Sequence, residues 1–329
     1  MKILITGSCG FIGTNFINHL LKTDFDGKII GVDNLSSGYY LEKVHGRIEQ
    51  HITDVRDAKS ISPLFEGVDQ VIHLAGLVSI QQCEKDMYGA IDNNVMGTVN
   101  VLDACERYGV KKIIAPETAA VYEDCGEGPY VETQMDPVTI YSTSKAMAGL
   151  LIKSFHKTRG IDYTLLRFFN VYGELQDWKR LVPPASAGFA IRFLQGKKPV
   201  IFGNPEKRRD FVHVDDVVNF LDMCLQDKRT DNETYNVGTG TSRSLVEMMK
   251  EIADILKVPY DGYISMPEIN GEAFNIFANI GKARLLGWNP TVSFRTGHEK
   301  LLSHLKTLHE EGVFPSDFMD NINVSEIKI

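Results

Sequence analysis

The segment Gly7-x-x-Gly10-x-x-Gly13 constrains this chain most: it follows the apolar run Ile3–Thr6 and opens the helical period Phe11–Leu21. Strand, glycine-rich turn and helix in that order allow a tight turn, close passage of backbone past a ligand, and close contact of helix on strand. The helix start then turns free N–H groups and the positive end of its dipole toward an anion, with Phe11 and Ile12 in its first turn. Ile29–Val32 reads as the next strand, and Asp33 ends it, twenty residues after Gly13. An acidic side chain there accepts hydrogen bonds from ribose hydroxyls and repels a 2′-phosphate, so the pattern predicts NAD over its phosphorylated counterpart. Asn34 shares that turn, and Asp54-Val55, after the third strand signal, is placed to contact adenine.

Strand signals recur at Val71–Leu74, Lys112–Ala115 and Tyr163–Arg167, with helical spacing at Asn93–Tyr108 and Thr143–Thr158. Such alternation predicts an α/β fold: a Rossmann-type doubly wound parallel sheet with a smaller mixed α/β substrate domain. The expected cofactor domain covers residues 1–172, with returning segments at about 211–240; residues 173–210 and 241–329 form the second domain. Pro183-Pro184, Gly196, Pro199, Gly203 and Pro205 punctuate that second part, as in loops that build a cleft. Phe211–Leu225 reads as a return helix, Tyr235–Val237 as a strand, and the chain from Gly312 as a loosely packed tail.

With 329 residues, 43% hydrophobic and 24% charged, the chain can bury a sizeable core. A net charge of −8, without a Lys/Arg block, gives no footprint for nucleic acid. No stretch approaches the ~20 apolar residues of a membrane span. Five scattered cysteines without a C-x-x-C pair argue against disulfides or a metal site and for a cytoplasmic location.

Tyr141-x-x-x-Lys145 carries the chemistry, because residues four apart share one helix face. A phenol titrates near ~10 and is a poor base at neutral pH. An ammonium one turn away, with a positive nicotinamide nearby, would stabilise the phenolate, letting Tyr141 take a hydroxyl proton while hydride leaves.

Together with further segments, these residues resemble the extended short-chain dehydrogenase/reductase family, in its nucleotide-sugar epimerase and dehydratase branch. The segments are His73-Leu74-Ala75-Gly76, Asn94-x-x-Gly97-Thr98, Val121-Tyr122, Arg167-Phe168-Phe169-Asn170-Val171-Tyr172-Gly173, Arg209–Asp216, Asn236–Gly240 and Lys282–Trp288. The resemblance implies that Leu74, Ala75, Gly76 and Asn94 line the cofactor groove, with Ser79 nearby on the substrate side. It implies that Thr118 bonds the sugar hydroxyl that becomes a ketone, and that Asn170, Val182 and Arg209 hold the nucleotide sugar. It makes His73 and His213 structural, and it implies a homodimer through the helices near 93–108 and 143–158.

Three departures from the family pattern matter. Glu117 stands where serine is usual before Thr118, while Ala119 and Ala120 replace the acidic pair of sugar 4,6-dehydratases. A buried carboxylate needs a partner or a task, so Glu117 is a candidate acid/base for elimination; it could equally turn away and bond backbone or Lys112. The late Ile269-Asn270-Gly271-Glu272 lacks an expected arginine, leaving phosphate to Arg209, Lys207, Arg208 or Lys179. Ile276 falls at the position that gates an N-acetyl group. The leading expectation is a UDP-hexose or UDP-N-acetylhexosamine 4-epimerase; the alternatives are a nucleotide-sugar dehydratase using Glu117 and a non-catalytic NAD-binding regulator.

Overall fold

The structure is a computed structural model that describes residues 1–37, 48–180, 182–268 and 274–320. Its first part runs β1 (Lys2–Thr6), α1 (Phe11–Lys22), β2 (Lys28–Asp33), β3 (Ile48–Ile52), α2 (Ala58–Ile61), β4 (Gln70–His73), α3 (Ile80–Lys85), α4 (Met87–Ile91), α5 (Gly97–Tyr108), β5 (Lys112–Thr118), α6 (Ile140–Arg159) and β6 (Asp162–Phe168). Then come β7 (Asn170–Tyr172), α7 (Ala185–Leu194), β8 (Val200–Phe202), β9 (Arg208–Arg209), β10 (Phe211–His213), α8 (Val214–Gln226) and β11 (Glu233–Val237). The chain continues through β12 (Arg243–Ser244), α9 (Leu245–Leu256), β13 (Ile264–Met266), β14 (Asn275–Ile276), α10 (Gly281–Leu285) and α11 (Phe294–Glu310).

Seven parallel strands form the main sheet in the order β11-β6-β5-β4-β1-β2-β3. Successive side chains leave a strand on opposite faces, and both faces here are covered. Ile3, Ile5, Ile29, Ile72, Ile114 and Leu166 pack with Phe16 and Leu20 of α1 and Val217 and Leu221 of α8. Leu4, Ile30, Val71, Ile113 and Leu165 pack on the other side with Val101 and Leu102 of α5 and Ile152 of α6. The chain leaves β1 toward β2 and β3, then returns to place β4 on β1's other side. This reversal opens a crevice at the carboxyl ends of β1 and β4, where open α/β sheets bind ligands.

The expected doubly wound sheet is present, with smaller β10-β7, β12-β9-β14 and β13-β8 sheets beyond it. Three local expectations need correction. Phe211–His213 is not helical; it pairs in parallel with Asn170–Tyr172, and α8 starts at Val214 with His213 as its cap. The helix expected from Asn93 begins with a π-helical turn at Asp92–Met96 before α5. The segment after Gly312 is no loose tail as far as Asp320: Phe314 and Phe318 are buried against Trp178, with ring centroids 5.0 and 6.1 Å away.

Candidate active site

The first wall of the crevice is backbone. Gly7 has φ +70°, and a Cβ on it would lie 2.7 Å from the Ala75 nitrogen in the loop after β4. A Cβ on Gly13 would lie 2.2 Å from the Gly7 carbonyl oxygen. Only glycine lets β1, its turn and α1 approach this closely. No described side chain caps α1, whose N-cap is Gly10, so its first N–H groups face the crevice. Phe11, Ile12 and Leu74 pack on the sheet layer shared with α1, and Ala75 on the opposite layer.

Asp33 is buried at the end of β2, where its carboxylate accepts from Cys9 N at 3.0 Å and Leu35 N at 2.7 Å. Burial pushes this carboxyl up, against those two backbone donors. Its remaining lone pairs suit ribose hydroxyls. Asp54 is held well below the usual carboxylate range by Arg56, which bonds it at 2.8 and 2.9 Å, with Asn34 donating at 2.7 Å. Val55 is buried, its side chain filling the space left by Gly97.

A polar thread ties this wall to the Tyr141 helix. Asn94, in the π-helical turn, accepts from Leu77 N at 2.7 Å and donates to Leu77 O at 3.0 Å and Ser144 Oγ at 2.9 Å. Ser144 donates in turn to the Tyr141 carbonyl at 2.8 Å. A π turn commonly marks a functional position in a helix; here it aims Asn94 between the loop after β4 and α6. His73 bonds Thr6 at 2.8 Å and Thr98 at 3.0 Å, and burial with the Lys145 charge pushes it down to about 3. It is a neutral cross-link, as the resemblance implied.

Tyr141 and Lys145 occupy the first two turns of α6, which Thr139 and Ser142 start with a reciprocal cap. Burial pushes the Tyr141 phenol up; the Thr118 hydroxyl beside it and the Arg180 charge act against that. Burial pushes the Lys145 ammonium down to about 8, and the Glu117 carboxylate opposes that shift. Gly76 lies beside Asn94 and Lys145: its Cβ position is 2.9 Å from Asn94 Oδ1 and 4.0 Å from Lys145 Nζ. Arg180 escaped sequence reasoning, which weighed the adjacent Lys179. Arg180 bonds Asp177 at 2.9 Å, whereas Lys179 lies over the Trp178 ring.

Glu117 is 4% exposed and opposes Arg167 in the β5/β6 register. Arg167 Nε donates to its Oε2 at 2.6 Å. Arg167 also donates to the Tyr122 hydroxyl and the Glu132 and Gln134 carbonyls. Lys112 does not partner Glu117; it bonds Cys224 O, Thr230 Oγ1 and Asp231.

An open cavity of about 240 Å³ is lined by Asn170, Val182, Phe202, Lys207 and Arg209 among others. Arg209 donates to the carbonyls of Arg208 and Phe274. Lys207 pairs with Glu268 at 2.8 Å, and Arg208 with Glu247 at 3.3 Å. Ser79 is not in the cavity lining; it caps α3 through Gln82 N, while neighbouring Gln81 reaches the cavity. Ile276 is buried with Ala119 and Phe169. Ile269–Glu272 lies outside the described residues.

The chain's residues 3–238 match the NAD dependent epimerase/dehydratase family. A UDP-glucose 4-epimerase from Thermotoga maritima, solved with UDP-glucose, superposes with a TM-score of 0.88 at 30% identity, covering 94% of this chain and 100% of that one. A UDP-glucuronate 4-epimerase of Thermodesulfobacterium geofontis is 28% identical over 322 residues, 92% of this chain and 95% of the relative. A dTDP-glucose 4,6-dehydratase of Streptomyces antibioticus is 29% identical over 308 residues, 90% of each. With residues 3–238 matching that family and the whole fold superposing on one of its epimerases, the chain belongs to the NAD-dependent epimerase/dehydratase enzymes.

Proposed function

We propose that the chain is a nucleotide-sugar 4-epimerase acting on a UDP-hexose or UDP-N-acetylhexosamine. The observation that carries this reading is the absence, among the described residues, of a free acid next to Thr118 on its strand and turn. Ala119 and Ala120 follow it, and the preceding Glu117 leaves β5 on the opposite face, bonded to Arg167. Elimination of water needs a proton donor at the leaving hydroxyl and a base at the neighbouring carbon; oxidation and return at C4 need only the tyrosine.

In this reading Thr118 holds the sugar C4 hydroxyl and Tyr141 takes its proton. Lys145 supplies positive charge beneath the phenolate and holds the nicotinamide ribose. The Gly7/Gly10/Gly13 turn and Asp33 would hold NAD, which when bound would supply the hydride acceptor and donor for C4. Arg209, Asn170 and Val182 hold the nucleotide diphosphate while the 4-keto sugar turns its other face, and Tyr141 then returns the proton. The relatives that act on UDP-sugars support the nucleotide assignment.

The smaller lobe, residues 173–210 and 241–329, is read as the nucleotide-sugar domain. Exposed apolar side chains on neighbouring helices support a homodimer: Tyr88 on α4, Met96 before α5, and Met147 and Leu150 on α6. The five cysteines are free and four are buried, which supports a reducing compartment. No helix among the described residues is long and apolar enough to cross a membrane.

Incubation with UDP-glucose and UDP-N-acetylglucosamine, followed by mass analysis and chromatography, tests the reading. The expected product is an isomer of unchanged mass; a product lighter by one water sinks the proposal. Tyr141→Phe should retain NAD and lose about 10²- to 10⁴-fold in turnover, the usual range for a general base.

A further inference from the structure

Tyr141, Lys145, Gly149 and Lys153 follow one another at four-residue spacing and so line one face of α6. Glu117 lies against that face. A Cβ on Gly149 would sit 2.0 Å from Glu117 Oε1 and 3.0 Å from its carboxyl carbon, so a side chain at 149 would displace the carboxylate. Glu117 shares strand parity with Ile113 and Ala115, which pack on the α5/α6 layer. A carboxylate is thus seated one helical turn below Lys145 and one above Lys153.

Its other oxygen is occupied. Arg167 takes Oε2 at 2.6 Å, and both side chains are 3% exposed. This pairing has a consequence for Lys145. A lysine captured in a direct ion pair with Glu117 would draw its Nζ toward the sheet and away from Gly76 and the crevice. With Arg167 as its hydrogen-bonding partner, Glu117 supplies negative charge without capturing the ammonium. The arrangement separates the two tasks of charge balance and orientation.

We propose that Glu117 is the buried counter-charge of Lys145, a positioning residue that Arg167 fixes and Gly149 admits, and that it keeps the Lys145 ammonium charged in a buried site. The proposal rests on the reading of Lys145 as the charge that serves Tyr141. It gives the departure at position 117 a role in the oxidation step and none in elimination. The groups facing Lys145 are His73 from β4, Cys83 from α3 and Glu117 from β5, with Arg167 of β6 and Lys153 of α6 acting on the same Glu117 carboxylate. Burial holds His73 neutral at about 3 and the Cys83 thiol up at about 12. Glu117 is therefore the carboxylate that favours the charged lysine.

The test is a ¹³Cε NMR titration of lysine-labelled, NAD-loaded protein, with the Lys145 resonance assigned through Lys145→Met. In Glu117→Gln/Arg167→Gln, where two amides replace the ion pair, the Lys145 midpoint should fall by about one to two pH units. Glu117→Asp, which keeps the charge, should leave it within about half a unit. If the double variant fails to fold, Gly149→Ala carries the test, since its Cβ drives the carboxylate off α6 and should lower the midpoint in the same direction. An unchanged midpoint in a folded, NAD-binding variant overturns the proposal. So does a dehydrated sugar product whose formation stops in Glu117→Gln while the midpoint stays. The titration reads Lys145 without turnover, so its outcome holds even where the 4-epimerase reading fails.

Discussion

The two ends of the crevice are built from different materials. At the cofactor end the contacts are set by backbone: Gly7 and Gly13 have no room for a Cβ, α1 presents bare N–H groups, and Asp33 is fixed by two backbone donors. At the far end the cavity is lined by long cationic side chains that already have protein partners. Lys207 is paired with Glu268, and Arg209 bonds two carbonyls. A backbone site tolerates almost no sequence change but asks little reorganisation of its ligand. A side-chain site of this kind can be retuned residue by residue, because each cation's geometry depends on neighbours that can vary.

The contrast is broken most directly at Gly13. Gly13→Ala places a Cβ 2.2 Å from the Gly7 carbonyl, and that contact is with backbone, not with the yielding tip of a side chain. Overpacking of this kind costs about 1–3 kcal/mol, and the strained turn is the one that must meet the pyrophosphate. NAD affinity should fall by about a hundredfold, while UDP affinity stays within about twofold. Calorimetric titration with each ligand checks this. An equal loss for both would show that the two ends are one coupled unit.

That difference in materials also explains what sequence alone made legible. The glycine turn, the acid ending β2 and the Tyr141/Lys145 spacing are local patterns, and each follows from a local demand on backbone or helix face. The sheet was legible for the same reason, since its strands are short apolar runs between helical periods. The partner of Glu117 was not. Its facing direction follows from parity with Ile113 and Ala115, but Arg167 becomes its neighbour only through the β5/β6 register, fifty residues apart. Phe211–His213 misled the helical reading because its Phe-Val-His run continues straight into the α8 period, and only pairing with Asn170–Tyr172 makes it a strand. The burial of Phe314 and Phe318 likewise depends on a distant Trp178.

Lys145 lies between the two ends, and its protonation sharpens the comparison. Its folded value of about 8 lies below the ordinary 10.5. Below pH 8 the lysine is charged in both folded and unfolded chains, and the folded state bears the whole cost of burying that charge. From pH 8 to 10.5 the folded state releases its proton first, so stability rises through that window and the cost is gone above it. Lys145→Met should therefore stabilise the ligand-free protein at pH 7 by roughly 2–3 kcal/mol, a gain that fades toward pH 10.5. Urea unfolding at pH 7 and pH 10 measures both. A destabilised variant at pH 7 would show that the ammonium is held by more than the Glu117 counter-charge. Turnover should be lost in either case, as expected where stability is given up at a catalytic position.

The smallest effect is expected at Arg209, for the reason that separates the two ends. Its guanidinium lines the cavity yet already donates to the Arg208 and Phe274 carbonyls, so a diphosphate meets a cation whose donors are partly committed. A charge-assisted bond contributes about 1.5–3 kcal/mol when the donor is free, and Lys207 lies in the same lining to supply a second charge. Arg209→Ala should then weaken UDP about tenfold, at the low end of that range, and leave NAD affinity unchanged. A loss of a thousandfold would mean that Arg209 alone anchors the diphosphate. It would also mean that the far end, like the glycine turn, depends on a single irreplaceable contact.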